Sequence, residues 1–305
     1  MRNLHTSATN FRQSGASEPV RGSQGVNLAG GPSEEVRRIN EIVCGIAGYS
    51  LSPSSSVGRT LAAQALLAGI AERGADAAGY AYRTPGDGRV RGHKQRSGAS
   101  ALLETVELPD ETSEVLLHVR DYTKGHPTIE ANNHPVRHGA LVGIHNGIIF
   151  NDEEILERHG ITRAHPEMTV DSEAIFALAE LAEGRARPLE ELRGSMASAW
   201  LDERRADMVF LARGVGRPLW IGAGRHERFF ASTPQALEIV ERYTGIRLRK
   251  REVREGTLIA LSRGRQVSSE RFRPDRRFEE RQLPAVRAPG EGASCLQRLA
   301  ALAAI

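Results

Sequence analysis

Cys44-Gly45-Ile46-Ala47-Gly48-Tyr49 is a short apolar strand that opens on a cysteine. An enzyme needs such a strand when its nucleophile is also the first residue of its working chain. A thiol whose own α-amino group is free can use that amine as its base, because the unperturbed amine, with a pKa of about 7.7–8.0, is partly neutral near pH 7. No histidine is then required. Residues 1–43 stand before Cys44 in the sequence, so this chemistry is open only if they are absent from the working protein. Up to about Glu41 they are rich in Ser, Gly, Asn and Arg and poor in periodic apolar residues. They read as a disordered leader, a propeptide or a mistaken upstream extension. Self-cleavage before Cys44 would expose it. So would a misread start codon at Val43, giving a methionine that is removed ahead of the small Cys44. The second route is favoured, because nothing in the leader looks built to fold or to be cut.

The composition bounds what can follow. With 305 residues, 40% hydrophobic and 26% charged, the chain can bury a real core as one large domain or two small ones. No apolar run is long enough to cross a bilayer and no secretory signal is visible, so a cytoplasmic location without membrane attachment is expected. Two cysteines, Cys44 and Cys295, form no disulfide framework and no metal-ligand spacing. A reducing compartment fits them, and neither metal nor cofactor is expected. The net charge is +3, but arginine and acid are interspersed, and lysine occurs only at Lys94, Lys124 and Lys250. The basic run Arg247 to Arg251 lacks interleaved aromatics and reads as a solvated strand edge, so nucleic acid is not an expected partner.

Beyond the opening strand, Ala63, Leu66, Leu67 and Ile70 recur at helical spacing and Gly74 closes that helix. Ala77 to Arg83, a Gly86-Asp87-Gly88 turn and Val90 to Arg96 predict a hairpin. Val115 to Val119 and Leu141 to Ile144 read as buried strands. Between them runs a polar loop with His126-Pro127 and Asn133-His134-Pro135. Ile175, Leu178 and Leu181 predict a helix starting near Asp171. Short strands follow around Met196 to Leu201, Met208 to Ala212, Leu219 to Gly222 and Arg228 to Ala231, then a helix after Thr233 and two final strands to about Leu261. Strands and helices arrive in clusters, which favours an α+β fold of stacked antiparallel sheets flanked by helices over a doubly wound parallel sheet. The Arg-, Glu- and Pro-rich end, with one weak Leu/Ala helix, is expected to be peripheral.

Several residues are candidates for chemistry, each with a plainer alternative. Asn146-Gly147, at the end of an apolar strand, is by itself most often a type I′ hairpin turn. It could equally form an oxyanion hole from the Asn146 side-chain amide and the Gly147 N–H, where one donor is worth about 3–4 kcal/mol. Arg120 is either a surface arginine at a strand end or a fork for a carboxylate. Asp171 is either a helix N-cap or an acceptor for an ammonium group. Together Arg120 and Asp171 suit the two ends of a free amino acid. His165-Pro166-Glu167 has the His-x-Glu form of Cys-His-Glu triads, but those place the cysteine on an elbow with glycines two before and two after, where here Ile42 and Ile46 flank Cys44. His165 is therefore read as a loop residue.

In their order along the chain, these motifs resemble the class II glutamine amidotransferases, with an N-terminal cysteine nucleophile. The resemblance spans about Cys44 to Leu261. It adds Arg73-Gly74-Ala75-Asp76-Ala77-Ala78-Gly79, His118-Val119-Arg120 with Thr123 and Gly125, Asn133-His134-Pro135, His145-Asn146-Gly147-Ile148-Ile149 with Asn151, and Asp171-Ser172-Glu173. Arg217-Pro218-Leu219-Trp220-Ile221-Gly222 with Ala231-Ser232 is most similar to the glutaminase half of glucosamine-6-phosphate synthase. The resemblance implies a four-layer αββα N-terminal-nucleophile hydrolase sandwich over residues 44–268, with 1–43 as leader and 269–305 as an Arg/Pro-rich tail. It implies Cys44 as nucleophile with its own amine as base, and Asn146 and Gly147 as the oxyanion hole. Arg120, Thr123, Gly125 and Asp171 would bind L-glutamine. Two positions depart: family members carry Trp after the arginine and His before the glycine, where Asp121 and Lys124 stand here. No sugar-phosphate isomerase half, Ser-Gly-Gly pyrophosphatase loop or phosphoribosyl-pyrophosphate site follows Leu261, so the ammonia acceptor is expected to be a separate synthase subunit. The alternative is a non-catalytic glutamine-binding regulatory subunit with the same fold.

Overall fold

A computed structural model of the chain describes residues 44–84, 88–277 and 286–304. The leader, and most of the expected turn at Gly86-Asp87-Gly88, lie outside the described residues. The strands are β1 (Gly45–Leu51), β2 (Ala77–Arg83), β3 (Arg91–Gln95), β4 (Glu114–Arg120), β5 (Val136–His138), β6 (Leu141–Ile149), β7 (Gly194–Asp202), β8 (Met208–Arg213), β9 (Trp220–Ala223), β10 (Glu227–Ala231), β11 (Arg249–Glu252), β12 (Thr257–Ser262) and β13 (Arg265–Arg271). The helices are α1 (Arg59–Ile70), α2 (Ala99–Leu103), α3 (Asp152–Arg158), α4 (Glu173–Ala182), α5 (Pro234–Thr244) and α6 (Pro289–Leu302). One sheet runs in the order β11-β9-β10-β1-β4-β2-β3 and the other β13-β12-β8-β7-β6-β5. Within both, neighbouring strands pair antiparallel.

The layering follows from the two-residue period of the strands. In β4, Val115, Leu117 and Val119 pack outward against α1, α5 and α6, while Leu116 faces inward with Ile46, Ile144, Ala197 and Phe230. The second sheet turns Leu141, Trp200 and Phe210 outward onto α4. Both faces of β1 and β4 are thus buried, which is why they read as unbroken apolar runs. The result is the four-layer sandwich of two antiparallel sheets flanked by helices. Gly48 shows how tightly β1 is held: a Cβ there would lie 2.1 Å from the Val115 carbonyl and 2.4 Å from the Phe230 ring.

Four expectations are corrected. Asn146-Gly147 is no hairpin turn, because β6 continues through both residues and pairs with β7 to Ile149↔Gly194. Asp171 does not cap the following helix; Ser172 holds that position, without a side-chain capping bond. A further strand, β13, follows the expected last one and is exposed along its length. The C-terminal segment is not peripheral: α6 packs on α1 and α2 and buries Cys295 and Leu299 completely in the core beneath the first sheet. Its apolar residues recur over only one weak stripe, and the sequence did not reveal what that stripe covers. The basic run does form a sheet edge, as β11.

Candidate active site

The site gathers where β1 begins and β4 and β6 end. By strand parity Cys44, His118, Arg120 and Asn146 belong to the inward face shared by Ile46, Leu116 and Ile144. They stand at the open end of the layer between the sheets. A cavity of about 10 Å³ there is lined by Cys44, Arg120, Thr123, Gly147 and Asp171, together with Asp121, Tyr122, Lys124, His134 and His145. The nucleophile, cation and acid expected from sequence therefore meet. Asn146 and Gly125 are not among the lining residues.

Cys44 is held at both ends. Arg73 Nε donates to its carbonyl at 2.9 Å, and its thiol donates to the Asp121 carbonyl at 3.3 Å. Burial pushes that thiol up to about 11, opposed by the Asp121 hydrogen bond and by the charges of Arg120 and Arg217. It is neutral near pH 7 and needs a base. No imidazole is bonded to it among the described residues. His118 and His145 are each pushed down to about 3 by burial, and His134 is lowered well below the usual range. All three are neutral: His118 and His134 stack with ring centroids 4.2 Å apart, and His145 lies against the Ser172 hydroxyl and the Ser195 carbonyl. His165 sits exposed in a loop.

Arg120 is buried and partly committed. It donates to Asn133 Oδ1 at 2.6 Å and to the Lys124 carbonyl at 2.9 Å, with a further bond to the Gly125 carbonyl. A guanidinium has five N–H donors. Among the described residues these bonds use three, so Arg120 is anchored to the loop that follows β4 rather than lying as a surface arginine. Gly125 acts through its carbonyl and a backbone at φ +80°. Asp171 accepts from the Ile149 N–H at 2.6 Å, and burial raises it to about 6.

Asn146 is fully buried, and both polar atoms of its amide lack a hydrogen-bond partner. An orphaned amide of this kind is destabilising by about 1–3 kcal/mol unless a ligand completes it. Gly147 has φ +142°, and a Cβ there would lie 2.0 Å from the Ser195 carbonyl, so no other residue fits.

Sequence reasoning quoted the motifs holding Arg73, His134 and His145 but gave those residues no part in the site. Lys124 bridges to Asp152 at 2.8 Å and Glu153 at 3.3 Å, tying the loop to α3. Among the described residues no group of His, Cys, Asp or Glu is placed to hold a metal ion, and no helix is long and apolar enough to cross a membrane.

Comparison with known proteins bears on the family and the fold. A family model described as a glutamine amidotransferase domain matches residues 118–239. Glutamine–fructose-6-phosphate aminotransferase (isomerizing) from Escherichia coli O6:H1 is 32% identical over 215 residues, covering 66% of this chain and 33% of that protein. The Thermus thermophilus protein of the same name is 35% identical over 208 residues, covering 64% of this chain and 32% of its own. The chain thus spans about a third of the length of these curated relatives. Two solved structures share the fold at 23% identity, covering 75% of this chain and 49% of theirs: an allosteric regulatory enzyme of purine biosynthesis, with TM-score 0.60, and glutamine phosphoribosylpyrophosphate amidotransferase from B. subtilis, with TM-score 0.59. Residues 118–239 thus match a glutamine amidotransferase domain, and the chain shares its fold with both solved structures.

Proposed function

We propose that the chain, once Cys44 is its first residue, is a glutaminase that hydrolyses the side-chain amide of L-glutamine and releases ammonia to a separate acceptor protein. The observation that carries this reading is one small cavity lined by a thiol, a buried guanidinium and a buried carboxylate. Arg120 would take the carboxylate of glutamine and Asp171 its ammonium group, with Thr123 beside them. The freed α-amine of Cys44 would accept the thiol proton as sulfur attacks the amide carbon. The Asn146 amide and the Gly147 N–H would stabilise the oxyanion, and the proton would pass to the departing ammonia. Water then attacks the thioester to give glutamate and restore the thiol. In the curated relatives the remaining two-thirds of the protein lies in the same chain, and here we assign the acceptor to another. The glutaminase domain we propose begins at residue 44 and takes in β13 and α6, with 1–43 as a leader that must be absent.

The neutral thiol near pH 7 and an amine locked in a peptide bond to Val43 favour a second reading for the chain as written, a glutamine-binding subunit without turnover. Glutamate release by the form beginning at Cys44, against the same form with Cys44→Ala, decides between them. Release from the first alone supports the glutaminase. Release from neither, with glutamine still raising the melting temperature, supports the binding subunit.

A further inference from the structure

The segment that leads into α6 reaches the nucleophile from the far end of the chain. Arg287 N and Ala288 N both donate to the Glu72 carbonyl at 2.8 Å. Glu72 adjoins Arg73, which holds the Cys44 carbonyl. Arg287 Nε pairs with Asp121 Oδ2 at 3.3 Å, and the Asp121 backbone carbonyl accepts the Cys44 thiol. Gly292 packs its first turn so closely on Glu72 that a Cβ there would lie 3.0 Å from Glu72 Cβ. One short stretch, 287–292, therefore touches the supports on both sides of Cys44.

We propose that Arg287 is a positioning residue of the active site: its pairing with Asp121 balances a carboxylate beside the nucleophile and holds the loop bearing Arg120 and Thr123 against Cys44. The inference rests on the glutaminase reading above. Asp121 is an awkward residue to place there. Its negative charge raises the Cys44 thiol and opposes any ligand carboxylate approaching neighbouring Arg120. A cation fixed by two backbone bonds to the rim offsets that charge without entering the cavity, which Arg287 does not line. Arg287 and Asp121 are 33% and 24% exposed, so solvent screens the pair and its effect on the site is modest.

The test uses the form beginning at Cys44, which keeps every described residue. It compares Arg287→Ala, Arg287→Lys, Asp121→Asn and the Arg287→Ala/Asp121→Asn pair. Two readouts are taken: KM and kcat for glutamine, and the pH profile of Cys44 alkylation by iodoacetamide. Arg287→Ala is expected to raise KM about two- to fivefold with a smaller change in kcat, as loss of a partly exposed ion pair allows, and to move alkylation to higher pH. Arg287→Lys should restore both. Adding Asp121→Asn to Arg287→Ala should return KM to the value of Asp121→Asn alone, because the charge to be balanced is gone. An unchanged KM and alkylation profile in Arg287→Ala would overturn the proposal. So would an Arg287→Ala effect that persists in full in the Asp121→Asn background, since that reports packing. Absence of glutamate release by the unsubstituted protein would sink the glutaminase reading instead, while the alkylation profile would still report on Arg287.

Discussion

At the scale of single residues, the site trades stability for chemistry. Asn146 keeps an unpartnered amide in a fully buried position. If it is an oxyanion donor, Asn146→Ala lowers kcat about a hundredfold or more with a much smaller change in KM. Steady-state kinetics check this, and an unchanged kcat removes Asn146 from the role. Asp171 pays a similar penalty, since its carboxyl is raised to about 6 in the fold against an ordinary value of 3.8. The native state therefore prefers the protonated acid. The ionised form burdens the fold fully above pH 6, and the burden is relieved as pH falls towards 4. Glutamine KM should accordingly rise as pH is lowered through about 6, because a neutral Asp171 no longer attracts an ammonium group. Asp171→Asn should abolish that pH dependence and raise KM at least about tenfold, while increasing the melting temperature at pH 7 by a few degrees. A KM flat between pH 5 and 8 in the unsubstituted protein contradicts the assignment. The local chemistry of these residues was legible in sequence only as alternatives. An Asn-Gly pair and an Asp before a helix each have a common turn or cap meaning, and what excluded it was the continuous β6–β7 ladder and the Asp171 bond to Ile149, pairings made with distant chain.

Among the elements, β1 and α6 mark the two extremes of what sequence conveys. β1 was readable because both its faces are buried, leaving an apolar run whose glycine at 48 answers to the Val115 carbonyl and the Phe230 ring. α6 was not, because its meaning lies in contacts with α1, α2 and residues 71–73, nearly two hundred positions away or more. The Arg287–Asp121 pair spans 166 positions and leaves no local signature. Leu299 is fully buried beneath α1 and α2, so Leu299→Ala should destabilise the protein by about 2–5 kcal/mol, as core truncations do. Urea denaturation checks this. A loss below about 0.5 kcal/mol would mean that α6 is peripheral after all.

Across the whole molecule, two sheets of unlike strand order hold one small cavity at the mouth of their shared layer, and nearly every group in it comes from a different element. Cys44 precedes β1, Arg120 ends β4, Gly147 lies in β6 beside the buried Asn146, and Asp171 precedes α4. The layered architecture was foreseeable because clustered strands with alternating faces leave few other ways to bury them. The convergence of these residues was not, since spacing in sequence says nothing about which strand ends meet. Among the described residues the thiol, raised to about 11, is bonded to no imidazole, and the histidines of the site are weak bases because burial pushes His118 and His145 down to about 3 and His134 well below the usual range. The account therefore requires the amine of Cys44. Its most direct test is intact-mass and peptide-mapping analysis of rapidly quenched mixtures with glutamine, run in parallel on the full chain and on the form beginning at Cys44. The prediction is one glutamyl group on the Cys44 peptide, with a free α-amine, in the shorter form only. A glutamyl adduct on Cys44 in a chain that still carries residue 43, formed at the same rate, would contradict it.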